Sequence, residues 1–160
     1  MLKKCLISLT LPFLIALLTP LIHCLVLDQN DLVTDTCRQT PNFQLCICTV
    51  RQDPRSQSVD IAGIGLILVE AIKAKTTTTI GQIRKLLVSQ PHLKVADIPP
   101  PVEALTKGDP KFAETAVVDA SNEAKYCEEG FIQSQSPLTA QNKAMNDLAV
   151  VATAVIRMLL

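Results

Sequence analysis

SPLTAQNKAMNDLAVVATAVIRMLL, Ser136–Leu160, decides the fold class of this chain. Met145, Leu148, Ala152, Val155 and Leu159 recur at alternating spacings of 3 and 4, which places them on one stripe of a helix. Ser136 suits an N-cap and Pro137 a first helical turn, so the pattern predicts one helix from Pro137 to about Leu160. Upstream, Ala113, Val117, Ala120, Ala124, Cys127 and Phe131 keep the same rhythm, with Asp109 able to cap, Pro110 able to open the helix and Gly130 near its end. Small residues on that stripe let a neighbouring helix approach closely. A third stripe, Ile61, Ile64, Leu68, Ile72, Lys75, Thr79, Ile83 and Leu86, predicts a long helix from about Ser58 to Ser89. The run Thr76–Thr79 weakens it, because each β-branched residue costs about 0.5–0.7 kcal/mol relative to alanine, yet the apolar phase continues beyond it. Strand-like alternation is missing. The expected class is all-α, a bundle of antiparallel helices packed through small aliphatic side chains.

The N-terminus determines the compartment. Lys3 and Lys4 precede an uncharged run, Cys5–Ile22, rich in Leu and Ile and broken by Pro12 and Pro20, and Cys24 is small enough to precede a cleavage point. These features predict a secretory signal peptide over 1–24, with 25–160 as the mature domain. A membrane anchor is the competing reading of so apolar a run, and the two prolines weigh against it. About 136 residues then remain, enough for one domain with one core. Without Lys3 and Lys4, 13 basic side chains stand against 15 acidic ones. That balance argues against nucleic acid as a partner, and no basic cluster suggests a membrane surface after cleavage.

Export also sets the meaning of the cysteines. CRQTPNFQLC, Cys37–Cys46, brackets a Thr-Pro turn between two short helices, the first around Asp31–Thr36 and the second from Thr40-Pro41 to Val50. In an oxidising compartment this pair reads as a structural bridge across a helical hairpin spanning 25–52. Closing so short a loop is worth about 2.5–3 kcal/mol on a loop-entropy model. Redox chemistry would want a closer C-x-x-C pair with an activating neighbour. The mature chain holds a single histidine, His92, which disfavours a His-based metal site or a Ser-His-Asp device. No Gly-rich phosphate loop is present, and Gly63 and Gly65 read as close-packing positions. Neither catalytic residues, nor a metal, nor a cofactor is expected.

The chain resembles the plant invertase/pectin methylesterase inhibitor family. The resemblance rests on the leader, CRQTPNFQLC, DPRS at Asp53–Ser56, KAKTTTTIGQIRKLL at Lys73–Leu87, KGDPKFAE at Lys107–Glu114, CEEGF at Cys127–Phe131, and SPLTAQNK with its apolar closing helix. It implies an N-terminal hairpin followed by a four-helix bundle (here over 58–160), and a protein that blocks an enzyme rather than being one. GDPKF is similar to the invertase-inhibiting branch. By that likeness Pro110, Lys111 and Phe112 form a tip that enters the cleft of an acid invertase, with pectin methylesterase as the alternative target. A glycoside hydrolase works with paired carboxylates around the sugar. A cation on a long arm can pair with one of them, and a phenyl ring can take the place of a sugar ring. The bland alternatives are an ordinary helix-opening proline, a solvated lysine and a phenylalanine turned into the bundle. The likeness also implies a secreted, apoplastic protein, or alternatively a vacuolar one.

One departure stands out against that family. The interval QPHLKVADIPPPVEALTKG, Gln90–Gly108, holds no cysteine, and Pro99–Pro101 leave only about Pro101–Lys107 able to form a helix. By resemblance, the second bundle helix is therefore truncated, and the usual partner of Cys127 is missing with it. Cys48 and Cys127 are left over: they bridge each other if the hairpin packs on the third long helix, or remain unpaired, with Cys127 available for an intermolecular link. A bundle face without its cover also offers a route to self-association. A truncated relative that inhibits nothing and serves as an interaction module is the second functional expectation.

Overall fold

A computed structural model describes residues 31–89, 108–131 and 136–160. The expected signal peptide, the mature start at Leu25 and the short helix over Pro101–Lys107 lie outside the described residues. Within them every element is helical: α1 (Leu32–Arg38), α2 (Phe43–Arg51), a 3-10 turn (Pro54–Gln57), α3 (Ile61–Ser89), α4 (Pro110–Glu129) and α5 (Thr139–Arg157). No strand occurs among the described residues, and the protein is an all-α bundle.

Local chemistry sets the helix starts. The Asp31 carboxylate caps α1 by accepting from the Thr34 N–H at 2.7 Å. Asn42 caps α2 in the same way, accepting from the Leu45 N–H at 3.1 Å, so that helix begins at Phe43 rather than at the Thr40-Pro41 step. The helix expected from Ser58 begins at Ile61, because Asp53–Ser58 is taken up by the 3-10 turn and its caps. At α5 the Ser136 hydroxyl accepts from the Leu138 N–H, which shapes a turn over Pro137 and Leu138 and moves the helix start to Thr139. The four threonines of α3 keep the helix intact. Each hydroxyl of Thr76–Thr79 donates to the carbonyl four residues earlier, so no polar group is left bare on that stretch. Gly63 marks a close approach: a β-carbon there would lie 2.7 Å from the Val59 side chain.

The core forms around α5. Val151, Ala152, Val155 and Ile156 are fully buried, and Leu148 nearly so, which is wider than a single stripe. The reason is that α3 packs on one side of α5, α4 on another, and α2 against it as well. α3 contributes Ile64, Leu68 and Ile72, α4 contributes Ala113 and Val117, and the hairpin adds Val33, Ile47 and Val50 to the same continuous cluster. α3 and α4 barely touch each other. Both lean on α5, and the connection 90–107 between them lies outside the described residues.

The Cys37–Cys46 disulfide closes the hairpin turn, with Cα atoms 5.5 Å apart and both sulfurs in the core. At the opposite end of the hairpin, Arg51 reaches back to Asp31 at 2.8 Å and to the Thr34 hydroxyl, joining the last turn of α2 to the first of α1. Arg55 in the 3-10 turn pairs with Asp53 at 2.6 Å and with Glu70 of α3, which fixes the hairpin's exit on the bundle.

Since three elements close on α5, truncation at its centre should be costly. Leu148→Ala is expected to lower unfolding stability by about 2–5 kcal/mol in chemical denaturation, whereas Val150→Ala, on the exposed side, should change it by less than about 0.5 kcal/mol.

Candidate functional site

The start of α4 is built by three consecutive residues. Gly108 adopts φ +75°, a left-handed conformation that L side chains rarely take, and turns the chain into the helix. Asp109 then caps it, its carboxylate accepting from the Phe112 N–H at 2.9 Å. Pro110 occupies the first turn, where no N–H is needed. The sequence expectation of a capped, proline-opened helix at this point matches the structure.

Lys111 and Phe112 follow on the outer side, while Ala113 and Glu114 turn inward. Phe112 is 64% exposed, so the ring does not enter the bundle. An aromatic side chain left in water at a helix start gains nothing from the core. Lys111 is not simply solvated: its Nζ donates to Glu114 Oε2 at 2.7 Å. The other oxygen of Glu114 accepts from Arg157 Nε, in the last turn of α5, at 2.6 Å. The two hydrogen bonds, from Lys111 first and Arg157 second, hold the Glu114 carboxyl below its ordinary range against the cost of burial. Pro110, Lys111 and Phe112 thus share one tip, and Glu114 and Arg157 support it from behind. Glu114 was legible as a possible i,i+3 partner of Lys111. Nothing in the sequence spacing pointed to Arg157, which arrives only because α4 and α5 run antiparallel.

The opposite end of the α4–α5 pair carries the other motif residues. Glu128 accepts from the Thr139 hydroxyl at 2.8 Å and from Asn142 Nδ2 at 2.6 Å, linking CEEGF to SPLTAQN. Burial alone would raise its pKa, but the bonds from Asn142, Thr139 and Ser136 outweigh that and lower it. Midway, the Ser121 hydroxyl donates to Asn146 at 2.7 Å. These polar links set the register of α4 on α5 and leave the tip at the far end.

The cysteines require a correction. Cys127 is a free, half-buried thiol. Cys48, expected as a candidate unpaired cysteine or a partner of Cys127, is disulfide-bonded, and not to Cys127. The hairpin packs on α3 and α5 rather than on α4, which keeps Cys48 away from Cys127. No cluster of three or more metal-ligating side chains occurs among the described residues. No described helix is long and apolar enough to cross a membrane.

No protein-family model matches the chain. It is 36% identical over 144 residues to cell wall / vacuolar inhibitor of fructosidase 1 of Arabidopsis thaliana, covering 81% of this chain and 70% of that protein. It is 30% identical over 158 residues to a Platanus orientalis protein named as an invertase inhibitor, covering 83% and 92% of the two chains. A pectinesterase inhibitor of Actinidia deliciosa is 32% identical over 68 residues, 41% of this chain.

Two measurements follow from these contacts. Glu114 and Glu128 titrate below the ordinary glutamate value of 4.5, and Asp53, held by the Arg55 side chain, is lowered from 3.8 to about 2. Depressed carboxylates stabilise the fold fully above their unfolded pKa values and lose that contribution as pH falls through the folded ones. The melting temperature should therefore change little from neutral pH down to about pH 5, then fall steadily from about pH 4.5 toward pH 2. For the thiols, alkylation of unreduced, denatured protein followed by peptide mass analysis should label Cys127, with Cys37 and Cys46 labelled only after reduction.

Proposed function

Because the chain belongs to the plant invertase inhibitor family, we propose that it inhibits an acid invertase by inserting the Pro110–Lys111–Phe112 tip into the enzyme's active-site cleft. It acts as a non-enzymatic inhibitor. The observation that carries the reading is the exposed Phe112 next to a solvent-facing Lys111 on a rigidly capped helix start. A capped helix fixes the backbone that carries both side chains before the target arrives, so less ordering entropy remains to be lost on binding. The ring supplies apolar area for a sugar subsite, and the ammonium supplies a counter-charge for a carboxylate that normally serves the sugar. The compartment fits the cell wall or the vacuole, the two places in the relative's name. Secretion through the leader over 1–24 to the apoplast is the route we favour.

Invertase is preferred over pectin methylesterase as the target. The pectinesterase-inhibitor likeness spans less than half of this chain, whereas the invertase-inhibitor likenesses span four-fifths. Self-association is a competing use of the molecule, favoured by the free thiol of Cys127. A disulfide-linked dimer on a non-reducing gel, lost in Cys127→Ser, would reveal it.

Titration of the purified mature protein against an acid invertase, and separately against a pectin methylesterase, tests the target. Inhibition of the invertase alone is expected. Lys111→Ala and Phe112→Ala should each raise the inhibition constant by about 10-fold or more, with the melting temperature unchanged for Phe112→Ala. Unchanged potency in both variants would remove the tip from the mechanism.

A further inference from the structure

We infer that Arg157 is a second target-contacting cation, and that Glu114 is the positioning residue that joins it to Lys111 as one recognition surface for an acidic cleft. The inference rests on the reading of Pro110–Phe112 as the inhibitory tip and extends that surface to the far end of the chain.

The geometry has three parts. First, Lys111 Nζ and Arg157 Nε occupy the two oxygens of one carboxylate, at 2.7 and 2.6 Å. The two cations are therefore neighbours, although one opens α4 and the other closes α5. Secondly, burial separates the charges by sign. The Glu114 side chain is 10% exposed, while those of Lys111 and Arg157 are 73% and 63% exposed. An approaching partner meets two positive groups with the negative one behind them. Thirdly, Arg157 spends only Nε on Glu114. Its two terminal nitrogens remain for another acceptor, and a guanidinium binds a carboxylate best through such a fork.

Stability alone does not account for this arrangement. Arg157 sits well at a helix C-terminus, but Lys111 lies in the first turn of α4, where the helix dipole disfavours a cation. The buried Glu114 carboxylate needs one cationic partner, which Arg157 already supplies, and a second cation that is 73% exposed adds little to folding. Two adjacent cations beside an exposed phenyl ring suit a cleft whose own machinery is two adjacent carboxylates, as in a glycoside hydrolase. Glu114 keeps the pair from repelling each other and fixes the distance between them.

The test uses the mature protein against a purified acid invertase, with Arg157→Gln, Arg157→Lys and the double variant Lys111→Ala/Arg157→Gln, each also in a Glu114→Gln background. Arg157→Gln is expected to weaken inhibition about 10-fold and to flatten the salt dependence of the association rate; Arg157→Lys should restore the salt dependence, which follows the charge, and only part of the potency, which follows the fork. Lys111→Ala and Arg157→Gln should be non-additive with Glu114 present and additive without it. A purely structural Arg157 would lower the melting temperature but leave the salt dependence alone, and that result overturns the inference. So does full potency in Arg157→Gln. The single variants Lys111→Ala and Phe112→Ala, run alongside, keep the two readings apart. If they lose potency and Arg157→Gln does not, only the extension fails; if they keep it, the tip itself fails.

Discussion

Burial of α5 between α3 and α4 is the interaction on which the rest of the protein depends. A helix touched on one side needs one apolar stripe, but α5 is apolar over most of its circumference because α2, α3 and α4 all contact it. The side chains that meet there are mainly Ala, Val, Leu and Ile, with Met145, and no aromatic ring is buried among the described residues. Small aliphatics let helix axes come close, and close approach is what makes many weak dispersion contacts add up. The scarcity of aromatics is thus a packing choice, and it leaves the exposed Phe112 without a role in the core.

Around that core, polar contacts provide register rather than bulk stability. Glu128 grips the first turn of α5 through Thr139 and Asn142, Ser121 meets Asn146 midway, and Glu114 meets Arg157 at the far end. Three links at separate heights fix how α4 slides and turns on α5. The hairpin is handled differently. A covalent bridge closes its turn and the Arg51–Asp31 pair closes its open end, so that Val33, Ile47 and Val50 are presented to the bundle as one unit. Among the described residues α3 and α4 touch each other little, and both rest mainly on α5.

Under the proposed inhibitory reading, the same register carries function. Glu114 ties Lys111 to the bundle, and the last turn of α5 delivers Arg157 beside it. The recognition surface proposed for the start of one helix and the end of another keeps its shape only while the two helices keep their register. Binding geometry and core packing are therefore one constraint here.

Read alone, the sequence determined the helical class, the three long apolar stripes, the Cys37–Cys46 staple and the Asp109–Pro110 helix start. All of these are set by contacts within a few residues or by a repeat of 3.6, and such rules act before any tertiary contact forms. Helix starts at Phe43, Ile61 and Thr139 were displaced from their expected places because capping side chains and a 3-10 turn compete locally with a helical first turn. Tertiary structure alone decided the rest: that α5 is buried on several faces, that the hairpin sits on α3 and α5 so that Cys48 and Cys127 stay apart, and that Lys111 shares a carboxylate with Arg157. Contacts between residues tens of positions apart depend on how helices cross, and a linear pattern of apolar spacing does not encode the crossing.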